Sequence, residues 1–314
     1  MDFKRLNHIV CAFLVLALIS CSNTPQENKR PVVVCTTNII GDVVRNLVPD
    51  SIEVISLMGP GVDPHLYKVT QGDIARLRQA DVVIYNGIHL EGKMLDVLSK
   101  LKDKMVISAG DSLPHDMLIN STAFAGAHDP HIWFDPLLWL KAINVMEKGL
   151  QKAFPAYGDE IGIRYKQYEK LVLETHEECE TLIAKIPVNK RIMITAHDAF
   201  SYYGHRYHIQ VKGLQGISTT AEYGIKDVSE LVKFIIENKV PAIFVESSVP
   251  KKSIEAVIEG CRSKGHEVKL GGTLYSDALG GKGSGADTYT GMLLTNTKTF
   301  VNALVKEFGE TLVF

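Results

Sequence analysis

From Arg30 onward, short apolar runs alternate with stretches whose apolar positions recur at helical spacing. VVVCTT, IEVISLM, ADVVIYNG and KMVISAG are typical of strands, while IIGDVVRNLV, GDIARLRQA and EGKMLDVLSKL are typical of helices. The strand segments are apolar at nearly every position, as expected for parallel strands whose two faces are both covered. Strand-helix alternation of this kind predicts an α/β fold with parallel pairing.

The same alternation begins again in the second half of the chain. RIMITAH, IQVKGLQ, PAIFVESS and HEVKLGG are predicted strands, and DAFSYYGHRY, VSELVKFIIENK, KKSIEAVIEGCRSKG and DTYTGMLLTNTKTFVNALVKEF are predicted helices. The fold class predicted is α/β: two similar lobes, each a parallel sheet flanked by helices, joined by one long rigid connecting helix.

The predicted connecting helix is charged on one side, with Tyr, Leu and Ile recurring on the other. It spans nearly thirty residues, which corresponds to about 40 Å at the rise of an α-helix. The alternative is two shorter helices with a bend near Gly162. The helix that precedes it is predicted to begin with Asp135 as its cap and Pro136 in its first turn.

The N-terminus has the features of an export signal. Lys4 and Arg5 precede the apolar run IVCAFLVLALIS, which is short for a membrane span. The run ends in Leu-Ile-Ser-Cys, which resembles the bacterial lipobox and implies cleavage before Cys21 and lipid attachment to its thiol. An ordinary signal peptide is the alternative. We therefore expect an exported protein, lipid-anchored to the bacterial membrane and facing the periplasm or cell exterior.

These patterns predict five segments along the chain. Residues 1–20 form a signal peptide, 21–30 a lipid-anchored tether, 31–154 the N-terminal lobe, 155–187 the connecting helix and 188–314 the C-terminal lobe.

Composition narrows the class of protein. A chain of 314 residues is long enough for two domains, and its 34 basic and 36 acidic residues give no electrostatic footprint for nucleic acid. The five cysteines are an odd number at wide spacing, without any CxxC pair. They therefore indicate neither a disulfide framework nor a thiolate metal site. Cys35, inside an apolar run, is predicted to be buried.

Three histidines occupy comparable places, where a strand or loop leads into a helix. His65 follows Asp63-Pro64, His131 follows Asp129-Pro130, and His197 follows the strand segment RIMITA. In open α/β sheets ligands bind in the crevice at such strand ends. Proline restricts its own backbone and that of the preceding Asp, so a histidine directly after the pair is held firmly.

A carboxylate in the second lobe completes a possible metal site. Asp277 follows a strand-like segment and precedes a Gly-rich loop, and three imidazoles with one carboxylate suit a divalent transition metal. Taken singly, each residue also has an ordinary explanation, as a helix cap, a buried histidine or a loop residue. The metal site is thus a hypothesis about the combination.

Six segments together give the chain a family resemblance. GVDPHLY, YNGIHLE, DPHIWFDP, ITAHDAFSYY, FVESSV and LYSDALG occur in this order. The chain thereby resembles, over nearly its whole mature length, the metal-binding solute-binding lipoproteins of bacterial zinc and manganese ABC transporters. The resemblance implies two α/β lobes bridged by a long helix, and an ABC permease with its ATPase as partners.

The resemblance also implies a set of site residues. It assigns His65, His131, His197 and Asp277 as metal ligands and gives Glu246 a supporting place near the site. Asp63 and Asp129 are predicted to orient imidazoles through ring N–H groups. His128 is expected to be a loop residue and not a ligand.

Zinc is the expected cargo and manganese the alternative, with iron a further possibility. Three nitrogens and one carboxylate suit zinc, and His at the third position, where relatives with manganese or iron tend to have Glu, favours it too. The long His-rich loop of many zinc-binding members is missing, which keeps manganese open.

An enzyme is not expected. A site with four protein ligands is closed, whereas catalytic zinc keeps one position open. The sequence also lacks HExxH, GxSxG and P-loop spacing. A surface adhesin with a structural metal is a second hypothesis, and a lipid-anchored hydrolase is a third.

Overall fold

The strands and helices alternate along the chain in the computed structural model, which describes residues 30–121, 126–220 and 223–305. The predicted signal peptide, the lipidation site Cys21 and the tether up to residue 29 lie outside the described residues. The strands are β1 Val32–Cys35, β2 Glu53–Ser56, β3 Val82–Tyr85, β4 Met105–Ser108, β5 Ile192–His197, β6 Gln210–Gln215, β7 Ala242–Glu246 and β8 Lys269–Leu274. The α-helices are α1 Asn38–Leu47, α2 Gln71–Gln79, α3 Leu95–Leu98, α4 Pro136–Ala153, α5 Gly158–Ile183, α6 Ser201–Tyr207, α7 Ile225–Glu237, α8 Lys252–Ser263 and α9 Tyr289–Val305.

The N-terminal lobe contains a four-stranded parallel sheet in the order β2-β1-β3-β4. In its register Val33 of the central strand β1 lies between Val54 and Val82. Every residue of β1 is buried, because one apolar cluster covers each face of the sheet. The predicted parallel α/β organisation is confirmed here.

The second lobe pairs its strands two by two. β5 pairs with β6, and β7 pairs with β8, both in parallel. β5 and β7 lie side by side, and the carboxylate of Glu246 joins their ends by accepting a hydrogen bond from the backbone N–H of His197 at 2.8 Å. The two lobes thus share the α/β design but differ in sheet pairing.

The connecting helix is continuous. α5 runs for 26 residues without interruption at Gly162, so the prediction of one long helix is confirmed over its bend alternative. It buries one face that includes Tyr168, Val172 and Cys179. These residues belong to an apolar core that also contains residues of both lobes. The predicted lobe boundaries themselves stay a prediction.

The segment EGKMLDVLSKL is less helical than its pattern predicts. It forms a 3₁₀ turn, Gly92–Met94, followed by the single helical turn α3. Glu91 is fully buried, and its carboxylate accepts hydrogen bonds from the backbone N–H groups of Asn86 and Gly87 and from the hydroxyl of Thr36. Glu91, the first residue of the segment, therefore stabilises the preceding loop, and no long helix begins there.

Two local predictions are confirmed by the structure. The Asp135 carboxylate accepts the backbone N–H groups of residues 137 and 138, and Pro136 is the first residue of α4. Cys35 is fully buried, and Cys179 and Cys261 are buried free thiols. None of the helices within the described ranges is both long enough and apolar enough to cross a membrane.

Candidate metal centre

Four side chains from the carboxyl ends of strands meet between the lobes. His65 lies in the loop after β2, and His131 lies in the long loop between β4 and α4. His197 is the last residue of β5, and Asp277 follows β8. All four are buried. The ends of parallel strands point to the same edge of each sheet, and the two edges face each other here.

The potential ligand atoms of these four residues are close together. All lie within 4.8 Å of one another. The Nε2 atoms of His65 and His131 are 3.3 Å apart, as are His131 Nε2 and Asp277 Oδ1. His197 Nε2 lies 3.4 Å from Asp277 Oδ2. Four ligands about 2.0 Å from a tetrahedral zinc ion are separated by about 3.3 Å, so these spacings match such a site.

Two of these atoms have no hydrogen-bond partner among the described residues. They are Nε2 of His197 and Oδ1 of Asp277, both of which are buried. Buried polar atoms are normally satisfied, so unpartnered ones that converge need an explanation. A bound cation would satisfy them both.

Two further carboxylates contact two of the imidazoles at their Nδ1 atoms. Asp129 Oδ1 lies 2.7 Å from Nδ1 of His131 and also accepts the backbone N–H of that residue at 2.9 Å. Glu246 Oε2 lies 2.5 Å from Nδ1 of His197. Both contacts direct Nε2 of the ring towards the shared space. In metal sites a carboxylate placed in this way orients the imidazole ring and raises its basicity.

Asp63 acts differently from the prediction. Its Oδ1 accepts the backbone N–H of His65 at 2.8 Å, and its Oδ2 accepts the hydroxyl of Thr219 at 2.6 Å. Its hydrogen bonds therefore position the backbone of His65 and join the two lobes. The expectation that Asp63 holds a ring N–H was wrong, because its side chain turns back to the chain two residues on, as Asp commonly does in turns.

The loop that carries Asp277 is attached to the N-terminal lobe on both sides. Just before it, the carbonyl of Ser276 accepts the indole N–H of Trp133 at 3.0 Å. Just after it, the side chain of Asn38 pairs with both backbone groups of Leu279, at 3.0 and 3.3 Å. Asp277 of the second lobe is thereby fixed against the first lobe.

The charges of the site are strongly coupled. Burial, which outweighs the charge of Asp277, lowers the pKa of His65 to about 3. Burial alone would lower the pKa of His131, but the carboxylates of Asp129 and Asp277 raise it to about 9. In His197 burial is likewise outweighed, and Glu246 and Asp277 hold the pKa well above its usual value. Despite burial, the imidazoles of His197 and His131 hold the pKa of Asp277 well below its usual range.

A cavity of about 260 Å³ reaches the site from the side of His65. Its wall also includes His128, whose Nε2 lies 2.9 Å from Nδ1 of His115. His128 is not one of the four clustered residues found in the described part of the chain. That His128 is a loop residue and does not bind the metal stays a prediction.

The sequence patterns did not identify two serines that lie beside Asp277. The hydroxyl oxygens of Ser248 and Ser276 are 2.8 Å apart, and the Ser248 hydroxyl lies 3.5 Å from Asp277 Oδ2. Both serines stand in segments that the family resemblance already singled out, FVESSV and LYSDALG. A signal was thus present, although serine has no distinctive pattern that would separate it from a loop residue.

Comparisons with known proteins agree with this architecture. The family model of the periplasmic zinc-uptake complex component A, ZnuA, matches residues 33–303. The manganese-binding lipoprotein MntA of Bacillus subtilis is 44% identical over 296 residues, which cover 93% of this chain and 96% of the relative. The metal ABC transporter substrate-binding lipoprotein SloC of Streptococcus mutans is 28% identical, covering 94% of this chain and 97% of the relative.

A solved structure has the same fold. The periplasmic zinc-binding protein TroA from Treponema pallidum superposes with a TM-score of 0.85 at 40% sequence identity, covering 88% of this chain and 99% of that chain.

Proposed function

Because this chain belongs to the family of the periplasmic zinc-uptake component ZnuA, we propose that it captures a divalent transition metal for transport. It is the substrate-binding component of an ABC transporter, the class to which its relatives belong. The ion is its cargo, which it binds between the two lobes and delivers to a membrane permease. A separate ATPase supplies the energy.

The ligands of the proposed cargo site are His65, His131, His197 and Asp277. The observation that supports this assignment is the convergence of their four ligand atoms within 4.8 Å in a buried space. Asp129 and Glu246 support the imidazoles at Nδ1 and leave Nε2 for the ion. Asp63 supports His65 through its backbone.

Zinc is the proposed cargo, with manganese as the alternative. Three imidazoles and one carboxylate at these spacings suit tetrahedral zinc. Relatives named for zinc and for manganese are both similar to this chain, at 40% and 44% identity. Iron belongs with manganese in that alternative, since a relative named as iron-binding also matches, at 28% identity.

Binding and not catalysis is the proposed use of the metal. Four protein ligands leave no open position for a reacting water, as a catalytic zinc site requires. The relatives reported above are named as metal-binding or transport proteins. We therefore place the chain outside the enzymes, and rank a surface adhesin with a structural metal as the second hypothesis.

Anchoring completes the proposal. Relatives are named as lipoproteins, and Leu-Ile-Ser-Cys at residues 18–21 resembles the bacterial lipobox. We propose that acyl chains on Cys21 hold the mature protein to the bacterial membrane, on its periplasmic or outer side, within reach of the permease.

The test is elemental analysis of protein purified without added metal, followed by competition titration of zinc against manganese. We expect one ion per chain and tighter binding of zinc. His65→Ala, His131→Ala and His197→Ala should each weaken zinc binding by more than about 100-fold, because a directly bound ligand matters at least as much as its supporting partners.

His205→Ala is a matched control, because this imidazole is exposed on α6. It should leave affinity unchanged, and so should His128→Ala if that residue is no ligand. If all three ligand variants kept the wild-type stoichiometry and affinity, the proposed site would be wrong.

A further inference from the structure

The carboxylate of Asp277 has two ways to bind an ion. Its Oδ1 faces His131 Nε2 at 3.3 Å, and its Oδ2 faces His197 Nε2 at 3.4 Å. An ion between the imidazoles can therefore take one carboxylate oxygen or both. One oxygen gives the four ligands that zinc favours, whereas two oxygens give a five-ligand site richer in oxygen, which suits manganese better.

The two oxygens differ in their surroundings. Oδ1 has no hydrogen-bond partner among the described residues, although it is buried. Oδ2 lies 3.5 Å from the hydroxyl of Ser248, which in turn lies 2.8 Å from the hydroxyl of Ser276. Both oxygens thus face an imidazole, and Oδ2 in addition faces a hydroxyl donor.

The direction of this hydroxyl pair follows from the charge at its end. The carboxylate oxygens of Asp277 are hydrogen-bond acceptors, and Ser276 is fully buried. A hydroxyl pair beside a carboxylate is best arranged with Ser276 donating to Ser248 and Ser248 donating to Oδ2, because each bond then polarises the next. The distance of 3.5 Å is long for such a bond, so a small rotation of the carboxylate decides whether Oδ2 bonds to the hydroxyl or to the ion.

We propose that Ser248 is a specificity-determining residue, whose hydroxyl draws Oδ2 of Asp277 away from the ion so that Oδ1 binds alone. By keeping the site four-coordinate, the Ser276–Ser248 pair favours zinc over manganese. The inference rests on the proposed function, since it concerns how the same cargo site chooses its ion.

The test compares Ser248→Ala with Ser247→Ala. Ser247 is the matched control because its buried hydroxyl has no partner among the described residues, and the substitution is chemically the same one position away. Competition titration of zinc against manganese should show that Ser248→Ala lowers the preference for zinc by about 10-fold, the lower end of the effects of supporting residues on metal affinity. Ser247→Ala should keep the wild-type ratio of zinc to manganese affinity. Ser248→Thr retains a hydroxyl and should keep that ratio as well.

Coordination number provides a second readout that affinity alone does not. Cobalt-substituted wild-type protein should have the intense visible absorption of a four-coordinate ion, and Ser248→Ala should have the weaker absorption of a five-coordinate one. A five-coordinate wild-type site, or an unchanged metal ratio in Ser248→Ala, would overturn the inference while leaving the metal-transport proposal in place. Failure of the wild-type protein to bind either metal would instead reject the proposed function itself.

Discussion

Asp63 and Asp129 share a sequence context but contact different parts of the histidine that follows them. Each precedes a Pro-His pair and accepts the backbone N–H of that histidine, at 2.8 and 2.9 Å. Only Asp129 is also placed against the imidazole, at 2.7 Å from Nδ1 of His131. Against the effect of burial, Asp129 together with Asp277 raises the pKa of His131 to about 9, whereas burial lowers the pKa of His65 to about 3.

These opposite shifts predict how metal affinity depends on pH. Without metal, His131 and His197 hold a proton at neutral pH because their pKa values are raised, and a metal at Nε2 must displace it. His65 and Asp277 have lowered pKa values and release none. Affinity should therefore rise with pH between about 6 and 8, by about tenfold per pH unit for each proton released.

Calorimetric titration with zinc in buffers of different ionisation enthalpy measures this proton release directly. We expect about two protons per ion bound, one from each of His131 and His197. An affinity that stays constant or falls as the pH rises through this range would contradict the assigned charges.

At the scale of elements, loops and helix starts carry the site residues, and contacts with helices hold these loops in position. Asp135 caps α4 and also receives two hydrogen bonds from Arg206 of α6, at 2.6 and 2.9 Å. One helical turn before Arg206, in the same helix, the hydroxyl of Tyr202 donates to the carbonyl of Asp129 at 2.9 Å. The loop that carries His131 is thus held between helices of the two lobes.

Two glycines, one in α4 and one in α5, should respond differently to substitution by alanine. Gly149 of α4 lies against Ile107, whose side chain a Cβ would overlap, whereas a Cβ on Gly158, the first residue of α5, would meet nothing within 4 Å. Gly149→Ala should destabilise the protein by about 1–3 kcal/mol through overpacking. Gly158→Ala should stabilise it by about 0.5 kcal/mol by reducing the freedom of the unfolded chain.

Urea unfolding of the two variants beside wild type measures both free energies of unfolding. Each variant is the other's control, because both make the same chemical change in a neighbouring helix. Equal effects would show that β4 does not pack on α4 as closely as described.

At the scale of the whole molecule, one apolar core and several polar bonds join the lobes. The core includes Val33 of the first sheet, Val172 of the connecting helix and Phe244 of the second lobe. Asp42 of α1 accepts the backbone N–H of Tyr289 in α9 at 2.9 Å. A fold built this way does not depend on an ion for its core, and opening the lobes widely would expose much of that core.

This architecture predicts a protein that stays folded when its metal is removed. Chelation should leave the far-ultraviolet circular dichroism unchanged, because the core and the interlobe bonds remain. Zinc at 100 times its Kd should raise the free energy of unfolding by about 2.7 kcal/mol through mass action. His131→Ala should show no such rise and serves as the control. Loss of helical signal on chelation would favour the structural-metal hypothesis instead.

The sequence alone determined the features that depend on neighbouring residues. Apolar runs and helical spacing indicated the strands and the long helix, because these patterns reflect which faces are buried. Asp135-Pro136 indicated the start of α4, and the two Asp-Pro-His segments indicated rigid histidines. The grouping of these histidines with Asp277 came from a family resemblance and not from any local pattern.

Tertiary structure decided everything that joins distant parts of the chain. It brought four ligand atoms within 4.8 Å of one another, turned Asp63 towards a backbone N–H and Thr219, and placed Ser248 beside Asp277. It also used Glu91 to hold a loop where the pattern predicted a longer helix. The physical reason is that local patterns report burial and backbone preference, whereas the direction of a buried polar side chain is set by whichever partner the fold places within hydrogen-bonding distance.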